Sequence, residues 1–113
     1  MENTGNVKME QWLGQRISEC IAEADRLRKD LRQDEAILET VRGNVYEIVR
    51  TVFSTFREDT GRFLEKMQQI TDTWERSGNL AQQHGEYQKT TVEQIKLEAA
   101  REALAMFRSL QEG

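Results

Sequence analysis

The chain has 113 residues, enough for one domain with a modest hydrophobic core. It has no proline, 32% charged residues and 37% hydrophobic residues, which is typical of an all-helical protein with solvated charged faces. The formal net charge of −4 argues against a general nucleic-acid binder, because contacts with phosphates need a surplus of Lys and Arg.

The cysteine content and the N-terminal sequence indicate a cytoplasmic protein. Cys20 is the only cysteine, so the chain cannot form an internal disulfide and a reducing compartment is expected. The first residues, MENTGNVKMEQW, contain no apolar run, and we therefore expect no signal peptide. Nowhere do about 18 apolar residues follow one another, so we also expect no membrane span.

Apolar residues recur with alternating steps of four and three between residues 13 and 52, which is the heptad spacing of a helix that packs along one seam. The seam positions are Leu13, Ile17, Cys20, Ala24, Leu27, Leu31, Asp34, Leu38, Val41, Val45, Ile48 and Val52. Asp34 is the only polar residue among them. It either sets the register of the seam or lies where the helices splay and reach water, and the sequence leaves both interpretations open.

Gly43 and Asn44 are residue types typical of a helix end, but the heptad spacing continues across them without a break. Gly43 suits the left-handed position after a helix end, and Asn44 is a good N-cap with Glu47 three residues later. These signals favour a tight antiparallel hairpin, whereas the unbroken heptad phase favours one continuous helix. A helix from residue 8 to 76 would be about 100 Å long, and a rod of that length needs a partner all along it. We therefore predict helices over residues 8–42 and 45–76, with the rod as the alternative.

Two glycines and a cluster of polar residues predict a loop over residues 77–89. Thr90, followed by Glu93, forms a capping box that predicts a third helix over residues 91–111. That helix has two apolar stripes and can contact two neighbours. The predicted fold is therefore a single all-α domain, residues 1–113, in which a hairpin and a shorter third helix form a three-helix bundle with coiled-coil character.

The third helix would span about 32 Å and stop short of the hairpin turn. An apolar face between Phe53 and the turn would stay uncovered, and a large exposed apolar face marks an interaction surface. We predict that it binds a second copy of the chain or a helix of another protein. The alternative is a tight two-helix zipper whose aromatic side chains are half solvated. The predicted interface residues are Leu38, Val41, Val45, Tyr46, Val49, Val52, Phe53 and Phe56.

The predicted hairpin resembles the WXG100 family, which consists of small acidic helical-hairpin dimers exported by bacterial type VII secretion systems. The similarity rests on the tripeptide Val41, Arg42 and Gly43 near the middle of the hairpin, and it covers at most the first 80 residues. Val41 replaces the family's tryptophan. The family's export signal, Tyr-x-x-x-Asp/Glu, is missing because Tyr87 is followed by Thr91 at that spacing. The resemblance implies a small secreted hairpin as an alternative function.

We find no pattern that predicts a chemical activity. His84, the only histidine, lies in the polar loop without a second ligand at helical spacing, so we expect no metal or cofactor. Cys20 occupies a seam position, which predicts a buried structural thiol rather than a nucleophile. No phosphate loop, paired carboxylates or Ser/His/Asp set is present, and so we expect no enzymatic activity and no small-molecule substrate.

A basic stripe that binds nucleic acid is a further alternative, although interleaved aspartates largely cancel its charge. Its residues would be Arg26, Arg28, Lys29, Arg32, Arg42 and Arg50. The sequence favours a non-enzymatic helical interaction module, such as an adaptor, an assembly factor or a small chaperone. We expect it to form a homodimer or to bind a partner helix.

Overall fold

A computed structural model describes residues 4–112. These residues form four α-helices: α1 (Thr4–Lys29), α2 (Gln33–Thr55), α3 (Thr60–Gln83) and α4 (Tyr87–Glu112). The all-α class is confirmed, but the predicted number of three helices is wrong. Within the described part of the chain, no helix is both long enough and apolar enough to cross a membrane.

The first turn of the chain lies at residues 30–32, not at Gly43. Leu31 adopts a left-handed backbone conformation with φ of 60°. Its N–H donates to the carbonyl of Arg28 at 3.1 Å, and the N–H of Arg32 donates to the carbonyl of Leu27 at 2.8 Å. This pair of bonds is the Schellman motif, which usually has glycine in the left-handed position. The predicted helix 8–42 is therefore two helices, and Asp34 is exposed in the first turn of α2.

Gly43 lies inside α2 and is buried against α1. A Cβ atom built on it would lie 3.1 Å from the Cβ of Cys20, closer than such atoms normally approach. The glycine therefore allows two helices to approach closely and does not form a turn. Val41, Arg42 and Gly43 all lie within this one helix, so the turn tripeptide on which the WXG100 resemblance rested does not form.

The predicted helix 45–76 is also interrupted, by a turn at residues 56–59. The Asp59 carboxylate caps α3 by accepting a hydrogen bond from the N–H of Arg62 at 3.1 Å. An aspartate N-cap stabilises a helix start because it satisfies an N–H that has no partner within the helix. The predicted heptad seam ends at Val52, shortly before this turn.

The predicted loop 77–89 is mostly helical. Helix α3 continues to Gln83, the turn covers residues 84–86 around Gly85 (φ 69°), and α4 begins at Tyr87 rather than at residue 91. Gly78 lies in α3, where an added Cβ would lie 3.2 Å from the Cβ of Glu93. Glu93 is buried and bonds to Lys96 at 2.9 Å, so it does not form the predicted capping box. Glycine again serves helix packing.

The helices run up and down as two hairpins, α1–α2 and α3–α4, and α4 contacts the other three helices. One core joins both hairpins at the end that holds the N-terminus of α1. It is built from Met9, Leu13, Ile17, Cys20, Val45, Tyr46, Val49, Val52, Phe53, Phe63, Met67, Ala99, Ala100, Ala103 and Phe107. The turns at 30–32 and 84–86 lie together at the other end, which we call the turn end. The molecule measures 48 × 34 × 21 Å.

The packing role of Gly43 can be tested against Gly14, which also lies within a helix but has open space where a Cβ would be. Gly14→Ala should raise the free energy of unfolding by about 1 kcal/mol, because alanine has the higher helix propensity. Gly43→Ala should give a smaller gain, and Gly43→Leu should cost about 2 kcal/mol by overpacking the contact with Cys20. Urea unfolding measures all three. Equal gains for the two alanine variants would contradict the close α1–α2 contact.

Candidate interaction surface

Most of the predicted interface residues lie inside the protomer. Helix α4 covers this part of α2, because the second hairpin packs along the first instead of stopping short of it. Five of the eight are buried: Val45, Tyr46, Val49, Val52 and Phe53. The other three are half-buried: Leu38, Val41 and Phe56. A contact between these eight residues and a partner stays a prediction. Two of the half-buried residues, Leu38 and Val41, belong to the half of α2 that is nearer the turn end.

Phe53 belongs to a group of three aromatic rings that joins α2, α3 and α4. Its ring centroid lies 5.4 Å from that of Phe63, nearly perpendicular, and 6.0 Å from that of Phe107. The rings of Phe63 and Phe107 are 4.8 Å apart. Edge-to-face pairs of this kind stabilise a core by about 0.5–1.5 kcal/mol beyond the burial of their area. Phe53 therefore holds the second hairpin against the first.

Tyr46 is fully buried, and its hydroxyl group lies between two charged side chains. It accepts a hydrogen bond from Nη2 of Arg16 at 3.0 Å and donates to Oε2 of Glu102 at 2.9 Å. Arg16 and Glu102 also contact each other directly at 3.5 Å, and Trp12 packs edge-on against the Tyr46 ring at 5.7 Å. Side chains from α1, α2 and α4 therefore meet at one phenol group.

The charges around Tyr46 shift two pKa values. The hydrogen bond that Arg16 donates to Tyr46 raises the pKa of Arg16, while burial raises the pKa of Tyr46 itself. Both groups therefore keep their protons at neutral pH: the arginine stays charged and the phenol stays a hydrogen-bond donor to Glu102. This arrangement satisfies the buried hydroxyl group of Tyr46 and positions three helices.

Cys20 is buried and free, which confirms its predicted structural position. Burial, with a smaller contribution from a hydrogen bond to Glu39, raises the pKa of its thiol to about 12. The nucleophilic form of cysteine is the thiolate, and this thiol is almost entirely protonated near neutral pH. The side chain packs against Gly43.

At the turn end, α2 and α4 leave a cleft between them. We call it the tip cleft; its lining residues are Asp34, Ile37, Leu38, Gln88, Thr91 and Val92. Its walls are mainly aliphatic, and Ile37 is 58% exposed although it is a large apolar residue. Leu31 and Tyr87, which lie in or next to the two turns, are also strongly exposed. The turn end is therefore the part of the described chain where exposed apolar groups from both hairpins come together.

The α4 residues that line this cleft were not predicted from the sequence as part of an interaction surface. Val92 forms part of an apolar stripe, and the stripe alone predicts burial against a hairpin. Only the position of the second hairpin leaves Val92 at the rim of the core, facing the first hairpin across the cleft. Leu31 was also expected in a packed seam but is exposed.

Among residues 4–112, no group of three or more His, Cys, Asp or Glu side chains lies close enough together to hold a metal ion. His84 ends α3 and is exposed. The basic residues of the alternative nucleic-acid stripe mostly pair with carboxylates on their own helices. These pairs are Arg26–Glu23, Arg28–Asp25, Arg32–Glu35, Arg42–Glu39 and Arg50–Glu47.

Comparison of the chain with protein-family models, with curated proteins and with solved structures found no match.

The hydrogen bonds of Tyr46 predict the effect of removing its hydroxyl group. Tyr46→Phe should lower the free energy of unfolding by about 2 kcal/mol, because a hydrogen bond to a charged group typically contributes about 1.5–3 kcal/mol. Tyr87→Phe is the matched control, since that side chain is 79% exposed and should change stability little. Chemical unfolding monitored by circular dichroism measures both variants. A loss of similar size in the two would contradict the network.

The raised pKa of Cys20 predicts weaker folding at high pH. An unfolded thiol loses its proton near its ordinary value of 9.0, whereas the folded thiol keeps it up to about pH 12. Alkaline pH therefore favours the unfolded chain, and the free energy of unfolding should fall as pH rises between these values. Tyr46 contributes in the same direction, since its pKa is also raised.

The variant Cys20→Ala separates the two contributions. Its free energy of unfolding should fall less steeply with alkaline pH than that of the unmodified protein, whatever its stability at neutral pH. Urea unfolding over a series of pH values gives both slopes. Identical slopes would show that the thiol has the same pKa in the folded and the unfolded chain, which would contradict its raised pKa.

Proposed function

We propose that the protein is a non-enzymatic helical interaction module, acting as an adaptor, assembly factor or small chaperone, and that it forms a homodimer through its turn end. The observation that carries this proposal is the tip cleft, where apolar side chains of both hairpins are exposed side by side. Of the predicted interface, Leu38 lines this cleft and remains partly accessible. Apolar groups placed together on a surface are typical of an interaction site.

The amount of exposed surface also supports association. The chain has an accessible surface of 7296 Å², whereas a compact monomer of this mass would expose about 6,400 Å². Its Cα radius of gyration is 15.3 Å, against about 13 Å for a compact domain of this length. The surplus surface is similar to the area of about 800 Å² that each partner buries in an interface of standard size.

The charges at the turn end suit a second copy of the chain. Residues 23–35 contain five acidic and four basic side chains, so this segment is close to neutral although the whole chain carries −4. Several of these charges are paired within their own helix, as in the 2.7 Å contact between Arg28 and Asp25. Two turn ends would therefore meet without net repulsion, and alternating signs allow charge pairs between copies.

The same pairing argues against the nucleic-acid alternative, since arginines held by neighbouring carboxylates give no uncompensated positive stripe for phosphates. The WXG100 alternative loses its basis with the turn at Gly43. We therefore retain the homodimer as the proposal.

Ile37→Glu tests the proposed interface. The dissociation constant of the dimer should rise at least about 100-fold, because burial of one such side chain contributes about 1.5–3 kcal/mol and each dimer contains two. Ile21→Glu is the matched control: Ile21 is 59% exposed, nearly the same as Ile37, but lies in a groove between α1 and α2 away from the cleft. Sedimentation equilibrium measures the dissociation constants, and circular dichroism checks that both variants fold.

Equal weakening by the two substitutions would place the interface elsewhere. An unmodified protein that stays monomeric at all concentrations reached would overturn self-association. In that case the tip cleft would be tested with partner helices of other proteins.

A further inference from the structure

Leu31 occupies a backbone position that leucine normally avoids. Its φ of 60° lies in the left-handed region, where a side-chain Cβ approaches the following carbonyl oxygen. Residues without a Cβ, or with a short polar side chain, are usual in this position of a helix C-terminus. The side chain of Leu31 is also 84% exposed, so the protomer gains little from burying it.

The turn between α3 and α4 provides an internal comparison. There the N–H of Gly85 donates to the carbonyl of Gln82 at 3.2 Å, and the N–H of Glu86 donates to the carbonyl of Ala81 at 2.8 Å. These bonds repeat the pattern around Leu31, and Gly85 has a φ of 69°. The chain therefore builds the same turn twice, once with the usual glycine and once with an exposed leucine. Folding of the protomer does not explain that difference.

We propose that Leu31 is an anchor of self-association that inserts into the tip cleft of a second copy, while the second copy's own leucine inserts into the first. This inference rests on the proposed function and specifies which side chain fills the cleft. A residue that is strained in its backbone and unused in the protomer is explained if it acts in an interface.

The positions of Leu31 and the tip cleft are compatible with a two-fold symmetric contact between two copies. Leu31 lies three residues before Asp34, which lines the cleft, so the protruding residue and the receiving cleft are both at the turn end. A two-fold axis between two such ends brings each leucine to the other copy's cleft, and both contacts form at once. One patch then supplies both halves of the interface.

The cleft also has a suitable size and lining for this side chain. It has a volume of about 260 Å³ and aliphatic walls from Ile37, Leu38 and Val92. A cavity of about 150 Å³ holds a benzene molecule, which is larger than the isobutyl group of leucine.

Leu31→Gly separates folding from association, because glycine suits the left-handed position and lacks the side chain. The variant monomer should fold as well as the unmodified monomer, with a thermal midpoint that is equal or higher at protein concentrations where both are monomeric. The dissociation constant of its dimer should rise at least tenfold. Leu31→Asn should behave in the same way, since asparagine also accepts this conformation without adding glycine's flexibility.

Leu80→Asn is the control, because Leu80 is an exposed leucine near the other turn, at 55% exposure. Sedimentation equilibrium should give it the dissociation constant of the unmodified protein. If Leu31→Gly leaves the dissociation constant unchanged while Ile37→Glu still raises it, Leu31 is not the anchor. The proposed homodimer would be unaffected by that result. Weakening of the same size by Leu80→Asn would also overturn it, and a wild-type monomer would remove the proposed function itself.

Cross-linking tests the position of the anchor directly. In a Cys20→Ala background, the double variant Leu31→Cys/Val92→Cys should form a covalent dimer under mild oxidation. The Val92→Cys single variant should not, since the inferred contact joins position 31 of one copy to position 92 of the other. Failure of the double variant to cross-link at concentrations where it is dimeric would overturn the insertion.

Discussion

The arrangement of the four helices depends on the burial of Tyr46 at the junction of α1, α2 and α4. A phenol group can be buried at low cost only if its hydroxyl is satisfied, and here Arg16 and Glu102 provide both bonds. These residues come from three different helices, so the burial of one side chain defines how the three helices lie. The aromatic group around Phe53 adds α3 to the same core. Both sets of contacts lie away from the turn end.

This distribution of contacts leaves the turn end of the molecule open. The hairpins share a core at one end, while at the other end each hairpin buries mainly its own small residues, such as Ala24 and Ala36 in the first and Ala81 in the second. The cleft between them is a consequence of where the large side chains lie. No side chain of the described residues fills this cleft, so it is accessible to a partner. The packing of the core at the opposite end therefore leaves open the surface on which the proposed function rests.

Glycine has two different uses in this chain. Gly43 and Gly78 lie inside helices and allow close approach to Cys20 and Glu93, whereas Gly85 supplies a left-handed turn. Both uses depend on the missing Cβ, and a sequence cannot separate them without knowing what lies opposite. The predicted hairpin at Gly43 and the predicted loop around Gly78 were wrong for this same reason. The true first turn has a leucine in the glycine position and carries no such signal.

The sequence by itself determined the helical class and the buried face of α1. The spacing of Leu13, Ile17, Cys20, Ala24 and Leu27 identifies the buried side of α1, and all five are buried. This works because helical periodicity is a local property, set by 3.6 residues per turn and the exclusion of apolar groups from water.

The tertiary structure alone decided where the chain turns, which apolar residues of α2 are covered, and that Ile37 and Val92 meet across a cleft. Five of the eight predicted interface residues are buried inside the protomer, and a contact of the eight with a partner stays a prediction. A stripe of apolar side chains is equally suited to another part of the same chain and to a second chain. The choice between them depends on helix contacts between residues that are far apart in sequence, such as Tyr46 and Glu102.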